Sequence, residues 1–177
     1  MWDFTYQKLE QLATWQNFGI LFVLLIFCCL HFLWRQEALG EKVKTFDAHK
    51  WGYNPDQAYV VLDKMGERGR RIYIFTQLTL DVIFPFVYGG LIIILLFKLY
   101  GSPKYLLLIP VIMVTADLLE NITTSYLAWS FSKGVPASIV RIAAFFTVVK
   151  WIGIFLSLAI LLIGLLVIAY QWLKKFI

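Results

Sequence analysis

Asp117, Glu120 and Asn121 stand at i, i+3 and i+4 in the stretch TADLLENITTSY. On a helix that spacing puts them on one face. Two carboxylates and an amide side by side can hold a proton, anchor a cation or orient a ligand. Their flanks, YLLLIPVIMV and LAWSF, suit hydrocarbon better than water. Another acid, Asp81, sits in LTLDVIFPFVY, and Lys150 sits in FFTVVKWIGIF. Tyr73, Gln77, Asp81 and Tyr88 form one line, and Asp117, Glu120, Asn121 and Thr124 a second. Lys150 shares a helical face with Thr147 and Ser157, and Arg141 lies nearer the start of the same run. An ionisable residue inside an apolar span is a functional candidate by default, because leaving it in lipid is costly.

The elements that must position these groups are written in the composition. The chain has 177 residues, 60% of them hydrophobic, and a mean hydropathy of +0.75. Soluble domains carry roughly 45–50% apolar residues. The excess comes in runs near 18–34, 72–100, 104–131 and 139–172, each about the length that crosses a bilayer. The expected fold is all-α: a polytopic membrane protein built as a four-transmembrane-helix antiparallel bundle, with residues 1–177 forming a single membrane domain. Residues 1–16 read as an N-terminal interfacial helix, with Trp2, Tyr6, Leu9 and Ala13 at helical spacing. The segment 35–71 is a polar loop holding a short helix, 55–65. In it Asn54 is the N-cap, Pro55 the first helical residue, Gln57 the capping-box partner and Gly66 the stop. YGSPKY and SKGVPAS are tight turns, which make spans two, three and four antiparallel neighbours. Pro85 has no N–H, so the Asp81 carbonyl loses its helical partner and the second span is expected to kink there. The fourth span, at 1.5 Å per residue, is roughly 50 Å long and must tilt or protrude.

Depth brings the charges together. Asp81, Asn121, Glu120 and Lys150 lie about ten or eleven residues from the loop-side ends of their spans, and Asp117 about fourteen. That is a slab about 15–20 Å below the loop-side surface. Span three holds eleven Leu, Ile and Val residues, worth roughly −5 kcal/mol on the insertion scale, against roughly +6 for its two acids. Alone in lipid it is marginal, so its polar stripe should face partners. Asp81, Asp117 and Glu120 are three potential anions against Lys150 and Arg141. If all are desolvated, one carboxyl stays protonated or a cation joins it. Mg²⁺ could use Asp117, Glu120 and Asp81, but no cofactor and no metal site is expected. The alternative is a purely architectural charge layer that locks helix register.

Other chemistries are excluded. The net charge of +5 gathers at span ends (Arg35, Arg68, Arg70, Arg71, Lys98, Lys104, Lys174, Lys175), the pattern of interfacial anchors and not of a nucleic-acid surface. Cys28 and Cys29 are adjacent, point about 100° apart on a helix and make no redox pair. With His31 and His49 the only histidines, zinc and haem sites lack ligands. No P-loop, G-x-G-x-x-G or G-x-S-x-G is present. The first span lacks a cleavage site and reads as retained.

The stretch MGERGRRIYIFTQLTLDVIFPFVY, followed by ADLLEN, resembles a pattern of uncharacterised prokaryotic four-helix integral membrane proteins. The likeness covers spans two to four and implies the architecture, with no activity. LTLDVIFPFVYGG, an acid ahead of Phe-Pro and then Tyr, is also similar to span two of the EXPERA family of sterol isomerases and related receptors, which have an acidic lipid-binding pocket. The chain departs from that family in having no acid in span one, no histidine beside Asp81 and an added D-x-x-E-N stripe.

The expected function is that of a membrane enzyme or receptor: a buried acidic and basic pocket binds a small lipophilic ligand or membrane lipid and, in the enzyme case, transforms it by acid–base chemistry. Asp81, Asp117, Glu120 and Lys150 are the candidate catalytic groups. Tyr73, Gln77, Tyr88, Asn121, Thr124 and Arg141 are the candidate ligand-binding groups, and helix 55–65 a lid. The alternatives are a proton- or ion-coupled transporter, which with four helices would need a homo-oligomer, and an accessory subunit. The expected location is a prokaryotic inner membrane. The loop side carries nine Lys or Arg against five on the side of the termini, which leans toward a cytoplasmic loop.

Overall fold

The computed structural model describes residues 2–40 and 43–175. Met1, at the head of the expected interfacial helix, and Glu41 and Lys42, in the polar loop, lie outside the described residues, as does the Trp2 side chain. Among those described, the chain is all-α. Its helices are α1 (Trp2–Leu12), α2 (Trp15–Leu39), α3 (Pro55–Gln77), α4 (Leu80–Tyr100), α5 (Leu108–Ser130) and α6 (Ala137–Leu173), with short 3-10 turns at Phe46–Ala48 and Phe131–Lys133. Four helices are long and apolar enough to cross a membrane: α2, α4, α5 with its 3-10 extension, and α6. The chain is therefore read as a membrane protein.

Local chemistry sets the boundaries. The Thr14 hydroxyl accepts from the Asn17 N–H and starts α2, which Gly40 ends at φ +91°. Asn54 and Gln57 exchange reciprocal side-chain to backbone bonds at the head of α3, and Pro55 follows the cap. Gly66, at φ +63°, occupies a backbone state that other residues avoid. It bends α3 into two rods without ending it, since the chain resumes the helix at once and continues to Gln77.

The expected second span is two helices. The break falls at Leu78–Thr79, upstream of Pro85, and α4 runs unbroken through the proline. Two hydrogen bonds account for this. The Thr79 hydroxyl donates to the Phe75 carbonyl at 2.6 Å and closes the end of α3. The Asn121 amide donates to the Asp81 carbonyl at 2.6 Å. That is the carbonyl that Pro85 strips of its helical donor, so a residue of α5 splints α4 where a kink was expected.

Glycines let the helices approach closely. A Cβ on Gly153 would stand 2.7 Å from the Met113 Cβ, and one on Gly89 would stand 2.5 Å from the Val114 side chain. Small residues at such crossings are the usual basis of tight packing between membrane helices. Pairs of contacts across the seams run in opposite numbering, so α2 is antiparallel to α4 (Leu21 at Gly90, Phe32 on Phe84) and α5 to α6 (Met113 at Gly153, Glu120 to Thr147). Two apolar cores result. One holds Phe46, Leu62, Tyr73, Leu127, Val140 and Ala143, toward the loop. The other holds Ala13, Leu96, Phe97, Leu107, Met113 and Leu161, toward the termini. The polar residues lie between them.

Candidate functional site

Lys150 is the hub. It is 4% exposed, and its Nζ lies 2.5 Å from Glu120 Oε2, 2.7 Å from Asp47 Oδ1 and 3.3 Å from Asp117 Oδ1. The second oxygens of Glu120 and Asp117 have donors of their own. Thr147 Oγ1 donates to Glu120 Oε1 at 2.8 Å, and Tyr88 Oη donates to Asp117 Oδ2 at 2.6 Å. Beside this group, Arg35 Nη1 pairs with Asp81 Oδ2 at 2.5 Å, and Arg35 Nη2 stands 3.8 Å from Asp47 Oδ2. Among the described residues, Asp47 is thus the one carboxylate that faces both cations. Five elements contribute: α2, the 3-10 turn at Phe46–Ala48, α4, α5 and α6. Cations bonded to this many carboxylates satisfy the condition under which buried charge is tolerated.

Most of the expected residues meet here. Asp81, Asp117, Asn121 and Lys150 line one cavity, with half-buried Tyr88 at its wall. Glu120, at 1% exposure, lies behind Lys150 and is not part of that wall. Tyr73, Gln77 and Thr124 form a buried satellite between α3 and α5. Gln77 Nε2 donates to Tyr73 Oη at 2.5 Å and lies 3.4 Å from Thr124 Oγ1, and Arg35 sits 5.9 Å from the Tyr73 ring centre.

Arg141 does not belong to the layer. It is exposed near the start of α6, beside a surface hollow lined by Trp51, Tyr53 and Asn54. It lies more than two helical turns before Lys150. The second buried cation is Arg35, which composition placed among the interfacial anchors. Its signal was weak but present: apolar residues resume after the polar RQE, and Leu39 is buried. Asp47 was one loop acid among six. Its neighbours Val43 and Phe46 are apolar, which a free loop has no reason to carry, and both are buried.

The segment around Asp47 covers the cluster. Trp151 Nε1 donates to the Asp47 carbonyl at 3.2 Å. Lys50 Nζ lies 4.4 Å from the Trp151 ring centre, and Trp51 stacks on Phe155 at 5.8 Å. Gln36 Nε2 holds the Val43 carbonyl at 2.8 Å. Burial alone would raise the Asp47 carboxyl, but the Lys150 ammonium and the Arg35 guanidinium pull it below its ordinary value.

The cavity has a volume of about 530 Å³. One end is the charged layer: Arg35, Asp47, Asp81, Asp117, Asn121 and Lys150. The rest is hydrocarbon, from Leu25 on α2, Leu91 and Leu95 on α4, and Ile154, Leu158 and Leu161 on α6. It runs between α2 and α6, which are not among the closely packed helix pairs. Four carboxylates face two cations, a formal excess of two negative charges if every group ionises. Among the described residues, no group of three or more His, Cys, Asp or Glu is arranged to hold a metal ion.

No family model matches the chain. No curated protein and no solved structure is significantly similar to it.

Proposed function

We propose that this chain is a multi-pass membrane protein of four antiparallel spans, a single membrane domain, that binds a small lipophilic ligand in the cavity between α2 and α6. In this reading α1 lies at the interface and the ligand's polar end meets the charged layer. One observation carries it: the cavity joins hydrogen-bonding and charged groups at one end to an apolar trough along α2, α4 and α6. Ligand sites are mostly apolar with a few placed polar groups, and a trough between two loosely packed outer helices gives a lipophile a sideways route from the bilayer.

Acid–base chemistry on the ligand would fall to Asp81 and Asp117, which reach the cavity wall. Glu120 and Thr147 would hold Lys150 in place, and Lys150 and Arg35 would govern how many protons the carboxylates keep. Asn121 and Tyr88 would orient the bound head. The Asp47 segment takes the part first expected of helix 55–65, covering the polar end. A prokaryotic inner membrane with the loop in the cytoplasm is the setting we propose.

The test is native mass spectrometry of the purified protein for a co-purifying lipophile, repeated with Asp81→Asn and with Leu91→Trp, which fills the trough. A bound species lost in Leu91→Trp, with the protein still folded, supports the reading. A protein that carries and takes up no lipophile at all refutes it.

A further inference from the structure

The least satisfied group at the polar end is Arg35. Its residue is 7% exposed, and of its donors Nη1 is held by Asp81. Nε is buried without an acceptor. Nη2 meets Asp47 only at 3.8 Å, beyond hydrogen-bond distance. A buried guanidinium with donors to spare lacks an acceptor that the site was shaped to receive. Asp47 supplies part of one. Its carboxylate lies between Arg35 and Lys150, it satisfies Lys150 at 2.7 Å, and it falls short of Arg35. Unlike Asp81, Asp117 and Glu120, it comes from a loop turn, with a side chain still 35% exposed. It is therefore the member of the cluster that can leave without moving a long helix.

We infer that the Asp47 carboxylate is a built-in stand-in for the head of the ligand, and that the cavity takes a single-chain amphiphile ending in a carboxylate, which displaces Asp47 from between Arg35 and Lys150. This rests on the cavity reading above and adds the ligand's charge and the covering loop's role. Charge favours it: one monoanion replaces another, so the balance among Arg35, Lys150 and the three helical carboxylates is unchanged. Geometry favours it too, because a carboxylate free of the loop can use the Arg35 fork, which Asp47 cannot reach. The trough beyond, past Leu91, Leu95, Ile154 and Leu158, then holds the chain. The covering segment acts as an autoinhibitory latch, closed when the site is empty and released when it fills.

The experiment compares oleate, oleylamine and oleyl alcohol as probes on the purified full-length protein in lipid nanodiscs, read by Trp151 fluorescence and confirmed by native mass spectrometry. Oleate should bind the native chain, and should bind Asp47→Asn at least about tenfold tighter, since the competing charge is gone. Arg35→Met should lose that gain when introduced into Asp47→Asn. In a Cys28→Ala, Cys29→Ala background, spin labels at Lys50→Cys and Phe155→Cys should move apart when oleate is added. Because Asp47→Asn is expected to gain binding, misfolding cannot mimic the result. Equal oleate affinity in the two proteins, or tighter binding of oleylamine than of oleate, overturns the inference. Oleyl alcohol binding with no effect of Asp47→Asn overturns the inference while leaving the cavity reading in place. No binding of any of the three probes overturns both.

Discussion

The two faces of α6 are built on opposite principles. Toward α5 it is closed: Gly153 lets the backbones approach until Met113 fills the space, Thr147 and Lys150 grip Glu120, and Val140, Ala143 and Ala144 are buried. Toward α2 it is open: Ile154, Leu158 and Leu161 line a cavity, and Leu158 and Leu162 are exposed. Aliphatic side chains serve both faces, so hydrophobicity does not distinguish them. The closed face has a glycine and paired polar groups that demand one register. The open face has neither, and α2 is tied to α6 at the polar end through the Asp47 turn and not by direct packing along the trough. In lipid, specific contacts and small residues join helices, while grease alone does not.

The comparison is broken or sharpened by substitution. The largest effect is expected at Glu120→Ala, which leaves Lys150 with less of its counter-charge and Thr147 without its acceptor. A loss of about 3 kcal/mol or more in denaturant unfolding in detergent is expected. Leu158→Ala, on the open face, should stay within about 0.5 kcal/mol. If the two cost the same, the distinction between the faces is wrong.

Next comes Gly153→Leu, which drives a side chain into Met113 and should cost about 1–3 kcal/mol. A thermal melt that does not move would show that the α5–α6 seam is looser than its geometry. Asn121→Leu should cost about 1–2 kcal/mol by stranding the Asp81 carbonyl. Pro85→Ala returns a backbone donor to that carbonyl, so the cost of losing Asn121 should shrink in the double variant. Additive effects of the two changes would disprove the splint.

The smallest effect is the docking of the loop by Asp47, whose carboxyl is held below its ordinary value by Lys150 and Arg35. A depressed carboxyl stabilises the docked form fully above its unfolded value, near 4. That contribution is lost as the pH falls through the lower, folded value. Fluorescence of Trp51 and Trp151 should therefore be flat from neutrality to about pH 4 and change only below it. Asp47→Asn should abolish the acid transition, and a transition centred near neutrality would point to other groups.

What could be read from the chain follows from the range of each interaction. The helices and the cap at Asn54 depend on neighbours within a few residues, and the apolar runs are additive along the sequence; the expected stop at Gly66 proved a bend, because the helix resumes beyond it. The company of Asp81, Asp117, Asn121 and Lys150 follows from depth along straight helices. Arg141 entered through the count of positive charges, although its place near the start of its span already set it outside the slab, and the structure leaves it exposed. Neither depth nor the charge count found Arg35 and Asp47. Arg35 closes a span and looks like an anchor, and Asp47 reaches Lys150 across 103 positions of chain. The break at Leu78–Thr79 was hidden because Pro85 is the louder local signal, while its remedy, Asn121, sits on another helix.

The length of α6 has a consequence for the surrounding bilayer. Its 37 residues make about 55 Å, whereas the 25 of α2 make about 38 Å, and both exceed a hydrocarbon core of about 30 Å by different amounts. A thin membrane forces the longer rod to lean further than the shorter one, and the seam between them is bridged at its polar end through the Asp47 turn, with the apolar trough beyond it. Lipid thickness is therefore expected to set how wide the trough stands. Probe uptake compared in nanodiscs of short-chain and long-chain lipids would show this as a graded change, and an uptake indifferent to chain length would mean the two rods lean together.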